Sequence, residues 1–223
     1  MKRALAIFAK TPFPGRVKTR LTPPLSPEEA AELYRCMLLD TVARARTLPV
    51  EILIFYHGNE QFFRDAVPGV ALIPQHESGL GGRLEAAFST LSSLGYDARV
   101  VIGTDSPDLP LSFIGEAFLR METGCDLVFG PAEDGGYYLV AVNGAHGDIF
   151  RDIPWSGPEV LERSLEKARA AELSTALLPV WYDVDAFEDL LRPGLSEPLN
   201  NAPLTRGFIS ALGIGNLPTA NAV

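Results

Sequence analysis

The 223-residue sequence is 47% apolar and 21% charged, ordinary globular usage that excludes a disordered, collagen-like or low-complexity chain. Nineteen Lys and Arg against twenty-eight Asp and Glu leave a net charge of −9, which excludes a general nucleic-acid binder or a protein drawn to anionic lipid. Two cysteines, Cys36 and Cys125, exclude a multi-bridge disulfide framework, and no apolar run reaches the ~18 to 20 residues that span a bilayer, so the expected place is the cytoplasm.

In chain order, Ala4 to Ala9 is a continuous apolar run and reads as a strand buried on both faces of a parallel sheet. Ser26-Pro27-Glu28-Glu29 combines an N-cap serine, a proline at the first helical position and a glutamate at the third. Ala30, Leu33, Met37, Leu38 and Thr41 then recur at helical spacing, which predicts a helix to about Arg46. Val50–Tyr56, Val70–Ile73, Ala98–Gly103 and Asp126–Gly130 read as further strands, with Gly135–Val142 and Leu177–Tyr182 as later ones. Helical patterns over Gln61–Val67, Leu84–Leu94, Ser112–Met121 and Pro158–Ala171 alternate with them. That alternation predicts an α/β fold, a single domain with a mostly parallel sheet flanked by helices. The main body runs over 1–192. A Pro/Gly/Asn-rich tail over 193–223, with one short helix near Leu204–Leu212, packs on or trails the same domain.

In open α/β sheets ligands bind beyond the carboxyl ends of the strands, so the loops after the strands carry the chemistry. Lys2, Arg3, Lys10, Arg16, Lys18 and Arg20 all precede Glu28, the first acidic residue. Four of them lie in the loop after the first strand, whose prolines stiffen it. Lys as a point charge and Arg as a bidentate clamp there suit a polyphosphate; the alternative is a solvated basic loop. Neither a Walker A nor a dinucleotide glycine spacing is present.

Asp105, after Val100-Val101-Ile102, sits where a hard divalent cation would lie beside phosphate oxygens, or else Asp105 and Asp108 shape an Asx-turn. Asp185 would lie near Asp105 if the Leu177–Tyr182 strand were adjacent to the Ala98–Gly103 strand; otherwise it caps a helix. Gln75 with Gly79, Gly81, Gly82 and Arg83, and the stretch Gly130–Leu139 containing Glu133, Asp134, Tyr137 and Tyr138, are glycine turns that let backbone approach a base or sugar. Turn chemistry and core packing are the alternatives.

Together, Lys10–Leu21, Gly103–Pro110, Gly130–Leu139 and Asp183–Leu190 resemble the nucleotide-diphospho-sugar transferase superfamily, with its Rossmann-like glycosyltransferase-A fold, over about Ala4 to Leu190. Within it the chain looks most like the bacterial glycosyltransferase-like, radical-SAM/selenodomain-associated transferase family one. The first loop is also similar to that of phospholactate guanylyltransferase, with Thr19 where that family has serine. The chain departs from many sugar nucleotidyltransferases in lacking their Gly-rich first loop. It also lacks a plain Asp-x-Asp after the mid-chain strand, and Asp183–Asp185 has that spacing late in the chain.

The resemblance implies a nucleotide-binding transferase domain with the nucleotide on Lys10, Arg16, Lys18 and Arg20 and its base near Gln75, Gly79, Gly81, Gly82 and Arg83. It further implies Mg²⁺ or Mn²⁺ on Asp105 and Asp185. The expected function is metal-assisted nucleotidyl or glycosyl transfer from a nucleotide or nucleotide-sugar to a small acceptor. Lys18 and Arg20 neutralise developing charge, and Asp134 or Glu133 serves as base in the glycosyl variant. The alternative is a nucleotide-binding regulator without catalysis. No nucleic-acid or membrane partner is expected.

Overall fold

The computed structural model describes residues 1–76, 78–155, 157–197 and 199–214. β1 (Arg3–Lys10) shows why its apolar run is continuous: Leu5, Ile7 and Ala9 point into one core layer, Ala4, Ala6 and Phe8 into the other. α1 (Pro27–Ala45) starts on the expected capping box, with the Glu29 amide donating to Ser26 Oγ at 3.1 Å and the Ser26 amide to Glu29 Oε2 at 2.8 Å. β2 (Glu51–His57), α2 (Glu60–Ala66), β3 (Ala71–Pro74), α3 (Leu80–Ser93), β4 (Ala98–Ile102), α4 (Leu111–Glu122) and β5 (Leu127–Pro131) follow in strict alternation. β6 (Tyr137–Asn143), α5 (Val160–Ala170), β7 (Thr175–Leu177), α6 (Pro193–Ser196) and α7 (Pro203–Ala211) complete the elements, with short 3₁₀ turns at Thr19–Leu21, Gly147–Phe150 and Phe187–Leu191.

The sheet order is β3-β2-β1-β4-β6-β5-β7. Among the described residues every neighbouring pair is parallel except those of β6, which runs antiparallel between β4 and β5. Side chains of α1, α2 and α4 cover one face, and α3, α5 and the Gly147–Phe150 turn cover the other. The result is one mostly parallel, helix-flanked α/β domain.

Two expected elements move. Helix α3 begins at Leu80 rather than Leu84, so Gly81, Gly82 and Arg83 form its first turn and Gly79 its N-cap. Gly81 is there because a Cβ would collide with the Phe150 carbonyl and come within 2.7 Å of Trp155 Nε1. The late strand spans Thr175–Leu177, after which the chain leaves the ladder and makes one isolated bridge, Trp181 to Ala132. β7 pairs with β5 and not with β4.

A third apolar cluster joins Leu21, Leu33 and Met37 to Val184, Leu195 and Ile209, seating the segment after β7 and helix α7 against α1. The final part of the tail, from 215 on, lies outside the described residues.

Candidate functional site at the carboxyl edge of β1 and β4

The strand order reverses at β1: β2 and β3 lie to one side, β4 to the other. The loops after β1 and β4 therefore diverge around a crevice, the place where open α/β sheets take ligands. A cavity of about 510 Å³ opens there, lined by Lys10, Lys18, Arg20, Asp105 and Asp185 together with Gln75 and Arg83. An adjoining pocket of about 870 Å³ holds Arg16 and His57 and shares Lys10 and Arg83.

Lys18 organises the cavity. Its backbone is left-handed, φ +47°, just before the Thr19–Leu21 turn, a conformation that costs about 1 kcal/mol or more in a non-glycine residue. That bend drives the side chain inward until only 4% of it is exposed. The ammonium ion-pairs with Asp105 and lies 2.7 Å from Asp185 Oδ1. Burial alone would lower the lysine pKa, but the two carboxylates outweigh it and hold Lys18 charged well above the ordinary lysine range. Burial likewise opposes ionisation of Asp185; Lys18, with Arg20 and Lys10 behind it, reverses that and keeps its carboxyl below the usual value.

The two carboxylates meet by a route that the strand pairing does not supply. Although β7 is remote from β4, the chain after it turns back along the loop following β4, and the Val184 amide donates to the Asp105 carbonyl at 2.8 Å. Ser106 Oγ donates to Asp183 Oδ1 at 2.6 Å. Burial, reinforced by Asp105, Asp185 and Asp134 against that bond, pushes Asp183 up to about 7. Beneath the cavity, the Tyr34 hydroxyl of α1 accepts from the Lys10 amide at 2.9 Å and from Thr104 Oγ1 at 3.0 Å, tying the ends of β1 and β4 together. Tyr34 was invisible in the sequence, and Asp183 stood out only for its Asp-x-Asp spacing with Asp185, because their contacts cross long stretches of chain.

Gln75 sits at the end of β3, where its amide nitrogen donates to the Phe55 carbonyl at 2.6 Å and to that of Ala9 at 3.4 Å. Gly79, Gly81 and Gly82 are not on the cavity wall: they start α3, and Gly81 is sealed against Phe150 and Trp155. Asp134 is also absent from the wall and closes the β5–β6 turn, Oδ1 accepting from the Gly136 amide at 2.8 Å. Glu133 is paired with Arg192 at 2.5 Å.

Among the described residues no group of three or more His, Cys, Asp or Glu is arranged to hold a metal ion. The Asp105–Asp185 pair does fit a hard cation: both are oxygen donors converging on one charged atom, and each side chain is nearly half exposed, at 45% and 43%. No helix of the described residues is long and apolar enough to cross a membrane.

Over 95% of its length the chain superposes on 98% of a protein from Desulfovibrio desulfuricans G20, provisionally assigned as a nucleotide-diphospho-sugar transferase, with 31% identity and a TM-score of 0.85. All of the chain aligns with all of a cytidylyltransferase from Leptospira borgpetersenii at 14% identity and TM-score 0.58. A manganese complex of Rv0371c from Mycobacterium tuberculosis H37Rv aligns over 85% of this chain and 96% of its own, at 14% identity and TM-score 0.53. At these lower identities the likeness is one of fold. No curated protein gives a significant match. The model of DUF2064, described as an uncharacterized protein conserved in bacteria, matches residues 38–157, which include β4 and the Asp105 loop, so with the 31% identical relative it places the chain: it belongs to the DUF2064 family and has the fold of the nucleotide-diphospho-sugar transferases.

Proposed function

We propose that this chain is a nucleotidyltransferase that binds a nucleotide in the β1–β4 crevice and passes its nucleotidyl group to a small acceptor. The observation that carries the reading is Lys18, a buried ammonium held between Asp105 and Asp185 at the switch point of the sheet. In such a transfer an acceptor oxygen attacks the α-phosphorus and pyrophosphate leaves. Lys18 and Arg20 neutralise the charge that grows on the phosphate oxygens, Lys10 and Arg83 hold the phosphate chain, and Arg16 guards the entrance. Gln75 meets the base. Asp105 and Asp185 would hold Mg²⁺ or Mn²⁺, which when bound supplies a Lewis acid for the phosphate oxygens. The manganese complex of Rv0371c and the cytidylyltransferase, both of this fold, support that pairing of metal and nucleotide.

Nucleotidyl transfer is favoured over glycosyl transfer by the state of the carboxylates. Glycosyl transfer with a general base needs a free carboxylate at the acceptor, and Asp134 is spent on a turn, Glu133 on Arg192. Asp134 serves as base only if that turn opens. The sequence resemblance to the selenodomain-associated transferases fits either chemistry.

A thermal-shift screen of nucleoside triphosphates and nucleotide-sugars, with and without Mg²⁺, tests the reading. A ligand at a hundredfold excess over its Kd adds about 2.7 kcal/mol to apparent stability. Hits incubated with sugar phosphates should then release pyrophosphate, read by ³¹P NMR. Release of a nucleoside diphosphate instead selects glycosyl transfer. Binding without turnover selects the regulator, and a failure of every nucleotide to stabilise the chain overturns the proposal.

A further inference from the structure

β4 and β7 are separated in the sheet by β6 and β5, so no strand ladder sets the distance between the Asp105 loop and the Asp185 segment. Side chains and one amide do. The two segments run antiparallel, with the Val184 amide on the Asp105 carbonyl, Ser106 on Asp183, and Asp108 at the far end. Asp108 Oδ2 accepts the Tyr182 hydroxyl at 2.5 Å and Oδ1 accepts Trp181 Nε1 at 3.3 Å. Asp108 stands three residues after one cavity carboxylate, and Tyr182 three residues before the other.

Both ends of this rung are anchored. Arg44 of α1 donates to the Pro107 carbonyl at 2.7 Å and to that of Leu109, fixing the loop on either side of Asp108. Tyr182 is only 9% exposed, stacked on Trp181 at 5.4 Å, with the Arg192 guanidinium 4.4 Å from its ring. Asp108 itself does not line the cavity. A carboxylate so placed touches no ligand and still determines where two ligand-holding carboxylates stand.

We propose that Asp108 is a positioning residue: by accepting from Trp181 and Tyr182 it sets the separation of Asp105 and Asp185 and thereby the affinity of that pair for a divalent cation. The inference rests on the proposed role of Asp105 and Asp185. Groups that orient metal-holding side chains change metal affinity by roughly 10- to 100-fold when removed.

The test is Mn²⁺ titration of the full chain without nucleotide, followed by electron paramagnetic resonance of free Mn²⁺. Asp105→Asn should abolish specific binding. Asp108→Asn and Tyr182→Phe should each weaken it about 10-fold, and the double variant should bind no more weakly than the weaker single, because both remove one rung. Ser174→Ala, which removes the hydroxyl bonded to Asp126 at the opposite end of β5 and so loosens the fold at a distance, should leave Mn²⁺ affinity unchanged, so lost stability alone does not imitate the effect. If Asp108→Asn fails to fold, Tyr182→Phe carries the test. Mn²⁺ binding that ignores Asp105→Asn refutes the role of the carboxylate pair. Binding that needs Asp105 but ignores both rung variants, or losses that add in the double variant, overturns the role of Asp108.

Discussion

Asp40, in the middle of α1, receives both the backbone amide and the hydroxyl of Thr205, at 2.7 and 2.8 Å, across 165 residues of chain. Both residues are buried, with 2% and 0% of their surface exposed. A carboxylate here caps the start of α7 and pins it to α1, a charge-assisted contact of the kind worth about 1.5–3 kcal/mol. Asp40→Asn should lower the unfolding free energy by about 2 kcal/mol in urea, and an unchanged midpoint would show that α7 is held by its apolar contacts alone.

Removing the Lys18 ammonium leaves Asp105 and Asp185 facing each other. Because both carboxylates are nearly half exposed, the loss in Lys18→Met should be modest, about 1–2 kcal/mol, rather than that of a fully buried pair. Added Mg²⁺ should raise the melting temperature of Lys18→Met more than that of the unaltered chain, since the cation relieves the repulsion. Nucleotide affinity should fall in the same variant. Equal Mg²⁺ responses in differential scanning calorimetry would separate the carboxylates from the cation.

The glycines at the start of α3 differ in what surrounds them. Gly81→Ala drives a methyl into the Phe150 carbonyl and against Trp155, and should cost roughly 1–3 kcal/mol. Gly79→Ala meets open space and should cost less, about 0.5–1 kcal/mol, through the poorer N-cap alone. Similar melting temperatures for the two variants would contradict the packing described for Gly81.

At the far end of β5, Asp126 accepts from the Ser174 hydroxyl at 2.6 Å and from its amide at 2.8 Å, and these bonds hold its carboxyl below the usual range. A depressed native pKa contributes stability above the unfolded value of about 3.9, and that stability is lost as pH falls through the native value. Ser174→Ala should therefore destabilise the protein by about 1 kcal/mol at pH 7 and by less once pH has fallen through the depressed native value. A difference that does not shrink on acidification would assign the effect to packing.

Strands and helices whose signals are local were legible from the sequence. The apolar run of β1 and the Ser26–Glu29 box of α1 need no distant partner to be read. The start of α3 was not, because two glycines depress helix propensity and the reason for one of them, the packing of Gly81 against Phe150 and Trp155, lies some seventy residues away. The late strand stops at Leu177 although apolar residues continue. Leu177 and Val180 are exposed, and the chain turns from the sheet toward the Asp105 loop. In the site, Lys18, Asp105 and Asp185 were recognisable as chemistry; what joins them was not. Strand adjacency was the expected route, and hydrogen bonds between the Asp105 loop and the segment after β7 are the actual one. Asp134 reads identically as a base or as a turn former until its acceptor bond to Gly136 is seen.

The partners Ser106 and Asp183 are 77 residues apart, a separation that has a temporal meaning during synthesis. At roughly 5–20 residues per second, the ribosome delivers the second partner on the order of 4–15 s after the first. Through that interval β1, β2, β3 and β4 are already present with the lysine and one carboxylate, but the other carboxylate is still missing. A nascent or interrupted chain thus carries Lys18 with only one of its two partners, and the second ion pair forms only once translation has passed Asp185.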